Sequence, residues 1–436
     1  MNTWKSSWNF IAVVIAIAVP IGRTPIASAQ FDFEKGPISY STTEAHDRVA
    51  RLAQALAKGD TSLKWDKQLG WLPDLLEQLE VSPESQTLVF SKTSLQIRHI
   101  SPTNPRALYF SDDTYIGWVP GGDLIELSAV DPKIGPVFYS LEQQKLERPK
   151  IERDETRCMT CHATSKTQDV PGYLVRSVFP GADGHPLFGL GTVTTDHTSP
   201  FAERFGGWYV TGGHGEMRHR GNSIALKSGD PPLDPELGAN HTAVPEMVRP
   251  DRYLRKSSDL VALMMLEHQT QMHNFMTRAN YETRQALDYQ KTMNEALGRP
   301  ADYLSESTQR RIARAAEELL KCLLFVEEHP LTSPIHGTSD YVEEFRKPGP
   351  QDALGRSLRD FDLRSRLLRY PCSPLIYSEA FDALPVEVLG IVRDRLDQIL
   401  SSRETSTDYS HLSAEDRAAL REILIATKPG FLPVSQ

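Results

Sequence analysis

Cys158-Met159-Thr160-Cys161-His162 is the segment of this chain whose residue types and spacing define a chemistry. Two thiols two residues apart can each add to one of the two vinyl groups of a single haem, forming thioethers. The imidazole next to the second thiol then falls under the iron as its proximal axial ligand. With 4 Cys and 13 His in 436 residues, a chance C-x-x-C-H is expected roughly 0.001 times in such a chain, so the signal is specific. It designates Cys158 and Cys161 as cofactor-binding residues, His162 as a metal ligand, and one covalent haem c as the cofactor. No second C-x-x-C-H is present.

Other chemistries of the pair fit less well. A thioredoxin-like dithiol follows a strand and opens a helix, whereas Arg148 to Arg157 is strongly charged. A zinc knuckle needs a second ligand pair; Cys322 and Cys372 are far apart in the chain, and His329 and His336 lack finger spacing. H-E-x-x-H, G-x-S-x-G and P-loop motifs are absent. On the far side of the iron the expected ligands are His214 and His219, set among glycines that allow close approach to a flat cofactor, and His268. The last shares a helix face with Val261, Met265, Met272 and Phe275. His273, Met217, Met264 and Met265 are weaker alternatives. Arg176, Arg204, Arg218, Arg220, Trp208 and Tyr209 could hold haem propionates by charge-assisted hydrogen bonds, or be ordinary surface residues.

The N-terminus supplies a second signal. Lys5 precedes an apolar run from Phe10 to Val19, Pro20 and Gly22 break it, and Ala27-Ser28-Ala29 forms a cleavage site before Gln30. This reads as a secretory signal peptide over 1–29, too short for a membrane span. Its removal takes away Lys5 and Arg23 and no acidic residue, so the formal charge moves from -9 to -11. An acidic chain argues against nucleic acid, which needs basic patches, and permits steering toward a basic redox partner. No later segment is apolar enough to be transmembrane.

On the haem motif and the export signal together, the chain resembles exported bacterial monohaem c-type cytochromes. The resemblance covers only those two features. It implies covalent haem, electron transfer with redox protein partners, and a periplasmic or otherwise exported location. The chain departs from the small class I cytochrome c, since 157 residues precede the motif and Pro171-Gly172 soon follows it. That departure leaves the usual Met ligand without support and keeps a five-coordinate iron open. A haem enzyme of peroxidase or oxidase type, or a haem-based gas sensor with an open distal site, are the alternatives.

Positioning these groups falls to two kinds of element. Residues 44–80 show helical periodicity. Short strands are predicted at Thr87, Leu95–Ile100, Ala107, Tyr115, Asp123, Gly172–Phe179, Pro186–Thr195 and Gly207, separated by Pro, Gly, Asn and Asp. The charged stretch 147–157 suits an exposed loop or short helix. Beyond a Gly/Pro-rich connector at 228–238, helices are predicted from Asp259 to Leu297, capped by Ser257 or Ser258, then at 307–328, 357–370, 385–403 and 413–427. The expected fold is α+β: a haem-bearing α/β region over 30–240, rich in strands, and a mainly helical region over 241–436. Cys322 lies on an apolar helix face and Cys372 follows Pro371. An oxidising compartment favours their pairing, and burial as free thiols is the alternative.

Overall fold

The computed structural model describes residues 32–225, 233–404 and 406–433, so the expected signal peptide lies outside the described residues. The fold is α+β. Among the described residues its N-terminal half holds nine strands: β1 (Thr87–Val89), β2 (Arg106–Phe110), β3 (Thr114–Trp118), β4 (Leu124–Asp131), β5 (Gly135–Glu142), β6 (Ile151–Arg153), β7 (Val175–Val178), β8 (Thr192–Thr195) and β9 (Trp208–Tyr209). Seven of them form one antiparallel sheet in the order β6-β5-β4-β3-β2-β1-β9, and β7 pairs with β8.

Strand alternation assigns each residue to a face. Leu108, Gly117, Glu126 and Ser140 register across β2, β3, β4 and β5 and share one face. Tyr109, Ile116, Leu127 and Tyr139 share the other. On that second face Tyr139 donates a hydrogen bond to Asp47, whose other carboxylate oxygen caps helix α1 (Arg48–Lys58) by accepting from Val49 and Ala50. Helix α2 (Leu72–Gln78) follows after an irregular loop, so the helical periodicity of 44–80 is two helices. Trp71, at its start, donates to the carbonyls of Glu142, the last residue of β5, and Gln144 just beyond it.

The first face meets α4 (Leu260–Leu297), which comes after the one-turn α3 (Met159–His162). Helix α4 has 38 residues, and its two halves do different work. Leu260–Leu266 belong to the core around the sheet. Met272, Met276, Ala279 and Ala286 belong to a second core, shared with α5 (Glu306–Leu323) and α8 (Val386–Leu400). Between α5 and α8 lie α6 (Tyr341–Arg346) and α7 (Glu379–Asp382); α9 (Ala414–Thr427) closes the chain, started by a capping box at Ser413. Tyr341, Phe345, Leu367 and Leu368 also join the sheet core. The 241–436 region therefore supplies part of the core of the β-rich half.

Three local expectations are corrected. Leu95–Ile100 is a run of turns, not a strand: Leu95 and Ile97 are 43% and 47% exposed, Gln96 is buried, and His99 closes a turn onto the Gln96 carbonyl. Residues 357–370 are not a helix, because Leu363 takes φ 58° and the Asp362 carboxylate collects the amides of Ser365 and Arg366, competing with helical hydrogen bonds. The charged stretch 147–157 contains β6, an edge strand where charge is compatible with pairing.

The cap of α4 is Asp259, not Ser257 or Ser258. One carboxylate oxygen accepts from Val261 and Ala262 at 2.8 and 3.1 Å. The other accepts from the Thr338 and Ser339 amides at 2.7 and 2.9 Å. Asp259→Ala should thus cost more than an ordinary cap, about 2–4 kcal/mol, since it strands four N–H groups, the two on α4 in a buried place. Urea unfolding would show a lower midpoint, with Asp259→Asn in between; a loss no larger than an exposed cap's would count against the dual role.

Candidate functional site

One helical turn presents the chemistry. Asp154 starts it, accepting from the Cys158 amide at 3.1 Å and from the Arg157 guanidinium at 2.6 Å. Cys158, Cys161 and His162 are at positions i, i+3 and i+4, so they share a face, while Met159 points into the core. All three line a cavity of ≈ 400 Å³, within the range of small-molecule sites.

The imidazole of His162 is held from both sides. Its Nδ1–H donates to the Gly172 carbonyl at 2.9 Å, and the Gly172 amide donates back to the His162 carbonyl at 2.8 Å. Phe138 packs on the ring, with centroids 4.6 Å apart. The next residue, Tyr173, is clamped by the Asn274 side chain of α4, which accepts from its amide at 2.8 Å and donates to its carbonyl at 2.7 Å. A Cβ on Gly172 would strike Asn274, so glycine is needed for this close approach. With Nδ1 committed as a donor, Nε2 keeps its lone pair, and burial holds the imidazole below its ordinary value, in the neutral form. This is the tautomer a metal-binding histidine requires.

The cavity floor is the first face of the sheet. Arg106 reaches across β3 to Glu126 on β4, with nitrogen and oxygen 2.7 Å apart. Gly117 lies beneath the guanidinium, and a Cβ there would collide with it. Leu266 and Thr270 of α4 form another wall, and Leu95, Ile97 and Phe188 bring apolar surface. Sequence reading missed Arg106, Glu126 and Tyr115 as lining residues. Strand alternation carries part of that signal; the register that aligns Leu108, Gly117 and Glu126 does not show in the sequence.

The expected distal ligands are elsewhere. His214, His219 and His268 do not line the cavity. His214 is tied to the Met217 carbonyl and the Asn240 amide, and its ring meets that of His219, 4.7 Å away, among Phe201 and Phe205. The nearby glycines admit protein rather than a cofactor: a Cβ on Gly213 would strike the His336 ring, and one on Gly215 would strike Ser333. His268 lies two residues from both Leu266 and Thr270, about 200° around the helix, and so faces away from the cavity. It stacks on Phe325, with centroids 3.8 Å apart. His273 contacts the Asp112 carbonyl; Met217, Met264 and Met265 are core residues. Of the expected propionate partners, Arg176 and Trp208 line the cavity. Arg204 pairs with Glu267, Arg218 with Glu236, Arg220 covers Phe179, and Tyr209 donates to the Pro102 carbonyl.

Burial, with the Asp154 and Glu126 carboxylates adding to it, pushes the Cys158 thiol up to about 12. A dithiol oxidoreductase needs the opposite, a stabilised thiolate. Among the described residues, the one group of metal-capable side chains does not include Cys158, Cys161 or His162, so a zinc site built on the pair lacks further ligands. Cys322 and Cys372 are buried free thiols, without a disulfide. No protein-family model, curated protein or solved structure matches this chain.

Two outcomes are expected. With both thiols free, iodoacetamide at pH 8 should label exposed Cys161 well before Cys158, whose thiolate fraction is on the order of 10⁻⁴; peptide mass spectrometry reads the order, and equal rates would contradict the local field. Burial also pushes His219 down to about 3. An imidazole depressed on folding stabilises above its unfolded value, near 6.5, and that contribution is lost as pH falls from there toward 3. The loss is on the order of 3 kcal/mol by pH 4. His219→Phe should flatten the acid limb of a stability–pH profile.

Proposed function

We propose that this chain is an exported protein that carries one haem c, attached through Cys158 and Cys161 with His162 as the axial ligand. The observation that carries this reading is the convergence of both thiols and an oriented imidazole on one cavity. The donor set fits the group: thiols for the vinyls, a lone pair on Nε2 for the iron, apolar walls for the ring, and Arg176 for a propionate. When bound, the group supplies a redox-active iron. The chain's own residues fix its approach. Gly172 and Asn274 orient the imidazole, and Leu95, Ile97, Phe188 and Leu266 offer apolar surface to the ring. The Arg106–Glu126 pair sets fixed charges on the floor.

Electron transfer to a redox protein partner follows from the resemblance. One observation favours the second reading, small-molecule chemistry or gas binding at an open iron position. Among the described residues lining the cavity, His162 is the one histidine, and there is no methionine. The nearby hydroxyls are engaged, Tyr173 with Ser128 and Tyr115 with Gln269. A closed low-spin carrier needs a second strong ligand; these walls offer no imidazole or thioether, and Lys92 carries the one amine among them. Export rests on the apolar run and cleavage site of residues 1–29.

The visible spectrum of purified protein, ferric and dithionite-reduced, with and without carbon monoxide, tests both parts. A high-spin spectrum that shifts with carbon monoxide is expected. A sharp low-spin α-band indifferent to the gas would return the function to electron transfer. Cys158→Ala with Cys161→Ala should abolish haem staining on a denaturing gel; retained stain would refute attachment at this motif.

A further inference from the structure

We propose that His197, His268 and Cys322 form a second, buried metal site, and that it takes copper. The three come from separate elements: the segment after β8, the third turn of α4 and the last turn of α5. One ligand atom of each lies within 4.8 Å of both others. They are 5%, 0% and 4% exposed. The Nδ1 atoms of the two histidines are 3.2 Å apart, within hydrogen-bond reach of one another.

A site needing only to be filled would be filled by apolar side chains, because burying two imidazoles beside a thiol costs free energy that packing alone does not return. A shared ion makes use of all three groups. At about 2.0 Å from nitrogen and 2.3 Å from sulfur, an ion spaces its donors by roughly 3.5 Å. The two nitrogens already stand near that separation, and about an ångström of closure brings in the third donor.

The surroundings hold the ligands in place. Phe325 stacks on His268 and lies 5.1 Å from the His197 ring. Arg204 donates to the His197 carbonyl at 3.0 Å and pairs with Glu267, the residue before His268, at 3.1 Å. This ties the two ligand-bearing segments together, as outer-shell contacts do in metal sites. Helix α4 separates the cluster from the cavity, which is walled by Leu266 and Thr270 on the helix's other side.

Two imidazoles and one thiolate make a soft, three-donor set. Structural zinc is held by four ligands. Among the described residues the cluster offers no fourth His, Cys, Asp or Glu, and a trigonal His₂Cys set is characteristic of copper. Because the site is enclosed, loading accompanies folding.

The full chain, with its haem, should therefore be produced in medium supplemented with both copper and zinc, desalted, and analysed for metals. One copper per chain is expected beyond the haem iron. Cys322→Ser and His268→Gln should each lose the copper while keeping the haem spectrum. Should both variants fail to fold, copper X-ray absorption of the wild type must show one sulfur and two imidazoles. Wild type without copper or zinc, zinc retained in place of copper, folded variants that keep copper, or an absorption spectrum without sulfur would each overturn the proposal.

Discussion

The site depends on a backbone–side-chain relay: Asn274 of α4 grips Tyr173 by both its amide and its carbonyl, and the neighbouring Gly172 carbonyl takes the Nδ1 proton of His162. An imidazole has two nitrogens and two ring faces, and a free one samples many directions. Here the long helix reaches through one amide group to decide which nitrogen stays available. The exchange is two-way, since the Gly172 amide returns a hydrogen bond to His162. These bonds are largely buried, so each is worth more than its exposed equivalent and is costly to leave half-made.

The same economy governs the floor of the cavity. Arg106 and Glu126 are largely buried charges, a combination that seldom adds stability over an apolar pair. The sheet makes room for them by placing Gly117 on the strand between. A residue with any side chain at that position would displace the guanidinium. The pair is better understood as fixing a field at the cavity floor than as a fastening of the fold.

Much of this was legible in the sequence, and the illegible part has physical reasons. The motif singled out Cys158, Cys161 and His162, which the structure brings to one cavity, because their grouping is local, set by spacing on one turn. Strand and helix periodicity gave the α+β division for the same reason. Glycines around His214 were ambiguous: close approach to a cofactor and close approach to another loop demand the same residue, and the loop at 333–336 is what approaches. His268 sat on an apolar stripe in sequence, but an apolar stripe does not say which of two cores it faces. Asp259, with two oxygens serving two segments far apart in the chain, could not be separated from Ser257 or Ser258 by local capping preference alone. Leu95–Ile100 carried strand-like residues, and only the tertiary placement of Gln96 inward and its neighbours outward broke the pattern.

The walls of the cavity are drawn from Lys92 to Thr270, and the helix that completes them is rooted in both cores. The five-residue motif is therefore not a cassette. Cut off after the β-rich half, the chain would keep both thiols and His162 while losing Asn274, Leu266 and Thr270. The spacing of the thiols and the imidazole would survive and the orientation of the imidazole would not. Grafting onto another scaffold meets the same obstacle, because what makes this histidine useful is contributed from more than a hundred residues downstream. Contacts of that sequence separation also form late and slowly. The enclosure around Cys158, Cys161 and His162 thus belongs to the whole fold, closed by its most distant contacts rather than by the neighbours of the motif.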